Sequence, residues 1–183
     1  MQSISKYSIG VRFGLLAGFL YIILLFLRYK YFAGSPVSFG LFAVVSFIII
    51  LLIYLFTGMA RKKQLGGYGE MKEIFQSIFI AILITEIVYI IFNFIYLKYV
   101  DPAFWVNFKA TNLSFLESKK VPEDQIEQQM KSFKDVDQAT RPMGLIKGFG
   151  YSIIIDSIFG LIFAAMLRKK KPAFEEILEE PKL

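Results

Sequence analysis

The sequence contains no cysteine and no histidine. The first absence excludes disulfides, thiolate catalysis and cysteine-rich metal sites. The second removes Ser-His-Asp triads, HExxH zinc sites and the commonest proton shuttle. Charge is also sparse, at 20% of the 183 residues, and it stands in short clusters beside long apolar runs. A net charge of +6 would suit nucleic acid if the basic residues shared a soluble face. They flank hydrophobic segments instead, as in the positive-inside pattern of membrane proteins, so the expected surroundings are a lipid bilayer and not nucleic acid.

What is abundant is apolar. Hydrophobic residues make up 56% of the chain, with 20 Phe and 10 Tyr, and the mean hydropathy is +0.55. Lipid satisfies no backbone polar group, so each spanning segment must be a helix. The expected fold is all-α: one polytopic membrane domain over 1–183, with four transmembrane helices at about 9–32, 37–59, 74–100 and 143–167. An extramembrane helical hairpin over 101–142 separates the last two.

The first span is not a cleaved signal peptide by its pattern, because Arg28 and Lys30 follow the apolar run directly and no small-x-small cleavage site precedes them. Its Gly10, Gly14 and Gly18 form a face that lets another backbone approach closely. Pro36 suits the start of the second span, which reads as a lipid-facing wall whose Ser38, Ser46, Tyr54 and Thr57 hydroxyls bond back to their own helix. Arg61 to Gly69 reads as a basic, glycine-rich turn at the membrane surface, where each Lys or Arg could gain about 1 kcal/mol from anionic lipid. It lacks the spacing of a phosphate-binding loop.

The third span carries Glu86 and Asn93 on one face, with Tyr89 beside them. The fourth carries Gly144, Gly148, Ser152, Asp156, Gly160 and Ala164 at a four-residue step, a groove of small side chains with a carboxyl halfway along it. At about 1.5 Å per residue, Glu86 lies about 18 Å in from Ile74 and Asp156 about 15 Å in from Met166. The two carboxyls are therefore expected to meet at matching depth. Away from water such a pair resists double ionisation, so a shared proton is expected at neutral pH. Glu86, Asp156, Asn93 and Ser152 make the candidate intramembrane polar site. Gly10, Gly14 and Gly18 are expected to pack against Gly160 and Ala164, with Gly148 in the same groove.

In the hairpin, Asp101-Pro102 is the expected helix start, leading to an interfacial anchor at Trp105. A second start lies at Val121-Pro122-Glu123-Asp124, after which Ile126, Met130 and Phe133 form one apolar stripe that could bind a partner. The fourth span stops at Arg168 to Lys171, followed by an acidic tail with Glu175, Glu176, Glu179 and Glu180. Charge places Lys6, Arg12, Arg61 to Lys63 and Arg168 to Lys171 on one side, so both termini are expected in the cytoplasm and the hairpin in the periplasm.

The glycine-stepped first helix with Gly14 and Gly18, the turn leading into Gly67-Tyr68, the run Asn93-Phe94-Ile95-Tyr96 to Asp101-Pro102, and the helix Ile126-Glu127-Gln128-Gln129-Met130 together resemble the domain of unknown function 4199 family. The resemblance covers nearly the whole chain. It implies a small four-helix integral membrane protein of the inner membrane, of a family found mainly in Bacteroidota, and it implies no activity.

An enzyme is not expected. The YD and GxGD motifs of intramembrane aspartyl proteases are absent, since Gly148-Phe149-Gly150 is followed by Tyr151. No cofactor and no metal are expected. The reading is a structural or accessory subunit of a membrane complex, with a membrane or periplasmic protein or further copies of the chain as partners. The alternative is a proton- or ion-coupled transporter or channel component built on the Glu86 and Asp156 pair.

Overall fold

A computed structural model describes residues 2–133 and 142–170. The long helices are α1 (Gln2–Tyr31), α2 (Pro36–Gln64), α3 (Met71–Ile95) and α6 (Pro142–Leu167). Between α3 and α6 come a π-helical turn, Tyr96–Val100, and the shorter helices α4 (Phe104–Ser118) and α5 (Glu123–Ser132). Four segments are long and apolar enough to cross a membrane: Tyr7–Tyr31, Pro36–Gln64, Met71–Val100 and Gly144–Leu167. The expected acidic tail lies outside the described residues.

The bundle is a diamond in cross-section. α3 touches α1, α2 and α6, and α2 touches α1, α3 and α6, while α1 and α6 stand at the far corners. The α1–α3 contact is the most extensive, and its cause is steric. A Cβ on Gly10 would come within 2.6 Å of the Ser77 carbonyl oxygen, and one on Gly14 within 3.0 Å of the Ala81 Cα. A Cβ on Gly18 would meet the Val88 side chain at 3.0 Å. The glycine face of α1 thus lies on the small-residue row Ser77, Ala81, Thr85 of α3, and the rising residue numbers on both sides make the helices parallel. Thr85 stitches the pair: its Oγ1 donates to Ala81 O at 2.8 Å and lies 3.4 Å from Gly14 O.

This corrects the expected pairing of the first and last helices. Gly160 packs against Ile78, Ile82 and Phe75 of α3, with the closest approach at 3.1 Å, and not against the glycines of α1. Both notched faces are filled by α3 because that helix carries a small row for α1 and, one residue on, the row Ile78, Ile82, Glu86 for α6. Gly148 is corrected as well: it is exposed, and no described residue comes within 4 Å of a Cβ placed there. Ala164 is fully buried in the core cluster with Ile74, Ile78 and Ile82.

The second span leaves Leu41, Val44, Ile48, Leu52 and Phe56 exposed on the side expected to face lipid, and its other side packs into the bundle. α2 buries Ser46, Ile50, Ile53, Tyr54, Thr57, Gly58 and Arg61, and a Cβ on Gly58 would lie 2.7 Å from Leu167 and 3.0 Å from Ile78. Ser46 and Thr57 do bond back to their own helix, to Phe42 O at 2.7 Å and Ile53 O at 2.8 Å. Tyr54 does not. The basic residues Arg61 to Lys63 belong to the last turn of α2, and the turn itself is made by Gly66 and Gly67, whose positive φ values of 75° and 89° suit glycine. Beyond it, Gly69 and Lys169 exchange backbone hydrogen bonds of 2.9 and 3.0 Å, which ties the α2–α3 connection to the end of α6.

At the opposite end the helix expected at Asp101-Pro102 begins two residues later, at Phe104, because Asp101 closes the π-helical turn through its N–H to Tyr96 O at 2.8 Å. Leu25, Tyr29, Phe39, Tyr96, Phe104 and Phe108 form an aromatic cluster there. Trp105 packs edge-on against Phe104 and Phe108.

Because α1 approaches α3 at backbone distance, Gly14→Ala is expected to destabilise the protein by about 1–3 kcal/mol. Gly148→Ala, in an open stretch of helix, should instead raise stability by about 0.4–1 kcal/mol. Reversible unfolding in detergent by mixed-micelle titration measures both, and equal effects would contradict the diamond arrangement.

Candidate functional site

The site begins with two rows of α3. Ser77, Ala81 and Thr85 face α1, while Glu86 continues the Ile78–Ile82 row toward α6. Asp156 lies one turn before Gly160 on α6, and that glycine is what seats α6 closely enough on α3 for the carboxyls to meet. Glu86 and Asp156 are each 4% exposed, and their side chains interact directly. Ser152, one turn earlier on α6, lies beside Glu86. Tyr54, fully buried on α2, donates its hydroxyl to Asp156 Oδ2 at 3.2 Å. Thr85 adjoins Tyr54.

Among the described residues no lysine or arginine is ion-paired with either carboxyl. The Glu86 Oε2 atom is buried with no hydrogen-bond partner. Two carboxyls without a counter-cation, one offering an orphan acceptor, can hold a proton between them. Among the described residues no cluster of three acids, histidines or cysteines could hold a metal ion.

Asn93 shares the face of Glu86 but belongs to a different neighbourhood. Seven residues on, about 10 Å along the helix, it accepts a hydrogen bond from the Tyr29 hydroxyl of α1 at Oδ1. Its Nδ2 donates to Tyr89 O at 2.8 Å. Tyr89 stacks on Tyr21 at 5.1 Å between ring centroids, so an aromatic layer separates Asn93 from the pair. Asn93 also lines a cavity of about 150 Å³ with Phe94, Leu97, Lys98 and Leu145. On the hairpin, Ile126 and Met130 are half-buried, and Phe133 packs on Phe108 at 6.3 Å.

Sequence reasoning brought together Glu86, Asp156 and Ser152 and missed Tyr54. A lone tyrosine in an apolar span carries no periodic signal that sets it apart from an interfacial aromatic. The row Ser77, Ala81, Thr85 was legible as a small-residue stripe and would have named the true partner of α1.

Over residues 12–169 the sequence matches the family model described as Protein of unknown function (DUF4199). The chain belongs to this family. No curated protein and no solved structure matched it. In this DUF4199 member the family match spans all four apolar helices from Arg12 onward, including both carboxyls, Tyr54 and the hairpin.

Removing the phenol oxygen by Tyr54→Phe is expected to lower stability by about 0.5–1.5 kcal/mol, the range of a side-chain hydrogen bond between membrane helices. Combined with Asp156→Asn, the two losses should be less than additive in a double-mutant cycle, which measures whether the hydroxyl acts through that carboxyl.

Proposed function

We propose that this DUF4199 protein is a non-enzymatic subunit of a bacterial inner-membrane complex, in which one proton shared by Glu86 and Asp156 ties α3 to α6. The observation that carries this reading is the enclosure of the pair: both carboxyls are buried, and Tyr54 and Thr85 beside them are fully so. A neutral hydrogen-bonded pair in such surroundings joins helices at about 1 kcal/mol per contact. Support for an accessory role comes from the hairpin, where Ile126 and Met130 keep part of their surface open above the aromatic cluster and can meet a membrane or periplasmic partner. A second copy of the chain is the other partner class.

One observation favours a second reading, a proton- or ion-coupled transporter component: the unpartnered Glu86 Oε2 is an acceptor available to a migrating proton. The variant Glu86→Gln with Asp156→Asn separates the two. In proteoliposomes with an enclosed pH-sensitive dye, the structural reading expects no proton flux from either protein and a loss of about 1–2 kcal/mol in stability for the variant. A flux in the native protein that disappears in a folded variant would establish transport instead.

For orientation, the reading puts both termini in the cytoplasm and α4–α5 in the periplasm. It rests on the basic ends of α2 and α6 lying together, through Gly69 and Lys169, at the end of the bundle opposite the hairpin. The absence of native cysteine leaves no background for thiol labelling. In spheroplasts, Ser118→Cys should react with a membrane-impermeant maleimide, and Lys72→Cys should react only after lysis. The reverse pattern would invert the topology.

A further inference from the structure

At the basic end of the bundle the last turn of α2 and the end of α6 enclose an open recess of about 400 Å³, lined by Met59, Lys62, Lys63, Gly66, Gly67 and Leu167. Met59, Lys62 and Lys63 stand three and four residues apart and so share one face, while Gly58 and Arg61 turn inward. Arg61 is buried and donates from Nη1 to Gln64 Oε1 at 2.7 Å, which leaves the two lysines as the cations of the recess. Neither lysine is paired with an acid among the described residues. The walls are fixed: Gly66 and Gly67 return backbone N–H groups to Lys63 O and Lys62 O at 3.1 and 3.0 Å, and the Gly69–Lys169 exchange holds the end of α6 alongside.

We propose that this recess binds the headgroup phosphate of an anionic phospholipid. The lining has two characters at one depth. Met59 and Leu167 close the apolar runs of α2 and α6, so they sit at the hydrocarbon boundary, and Lys62 and Lys63 rise from it into the headgroup layer. A phospholipid matches both halves, with its phosphate against two unpaired ammonium groups and its glycerol and upper acyl carbons against Met59 and Leu167. Free phosphate would use only the polar half. The geometry differs from a diffuse basic surface, because two separate helices and the glycine turn after α2 together build the recess.

The test uses the full chain purified in neutral detergent, with thermal unfolding followed during titration with phosphatidylglycerol, phosphatidylcholine or inorganic phosphate at equal phosphorus. Phosphatidylglycerol is expected to raise the unfolding midpoint in a saturable way, and the other two are not. The double variant Lys62→Gln with Lys63→Gln should weaken the apparent affinity about thirtyfold, from the loss of two charges at a lipid surface. Lys62→Arg with Lys63→Arg should retain binding, as should Lys109→Gln with Lys119→Gln, which removes the same charge from the hairpin. An unchanged titration in the double variant, equal weakening in the hairpin control, or equal stabilisation by phosphatidylcholine or phosphate would overturn the proposal.

Discussion

The close approach of α1 to α3 is the constraint on which the remaining geometry depends. In lipid there is little hydrophobic gain from bringing two apolar helices together, so association rests on van der Waals contact and interhelical hydrogen bonds, both of which reward short backbone separation. Gly10, Gly14 and Gly18 supply that separation against Ser77, Ala81 and Val88, with Thr85 reaching the Gly14 carbonyl. Once α1 covers this side of α3, the neighbouring row of Ile78, Ile82 and Glu86 is turned toward α6 and α2. The opposed notches at Gly160 and Gly58 receive Ile78, and the diamond closes around the shared α2–α3 edge.

The carboxyl pair is a consequence of that closure. Asp156 precedes Gly160 by one turn and Glu86 follows Ile82 by one turn, so the antiparallel packing of α3 and α6 that seats the glycine also aligns the acids. Burying two such groups without a cation would be costly if both were charged. The Tyr54 hydroxyl, which donates to Asp156 from α2, offsets part of that cost. The site therefore spans three helices, and α2 is part of it through one phenol.

The other end of the bundle is held by aromatic packing in place of small-residue notches. Tyr29 touches Phe39, Tyr96 and Phe104 with ring centroids 6.1, 4.9 and 4.7 Å away. Arg28 lies 3.8 Å over the Phe39 ring and donates to Phe39 O, so a basic residue at the edge of the apolar run turns toward protein. The π-helical turn at Tyr96–Val100 re-aims the chain so that α4 lies over this cluster, and Phe133 extends it into the hairpin. Such a floor couples the extramembrane helices to the membrane part.

The sequence by itself determined the number of spans, their approximate limits, the placement of basic clusters at the span ends and the matching depth of Glu86 and Asp156. These follow from hydrophobic run length, charge placement and a fixed rise per residue, which are local quantities. Only the tertiary structure decided which faces meet. A glycine stripe states that some backbone comes close without stating whose, and Gly10, Gly14 and Gly18 fit a small-residue row on either α3 or α6 by pattern alone. Tyr54 was likewise undecidable from its own segment, because whether a phenol in an apolar helix caps its own carbonyls or a distant carboxylate depends on the rotation of α2. That rotation is set by the packing of Gly58 against Ile78 and Leu167, a relation among three segments distant in sequence.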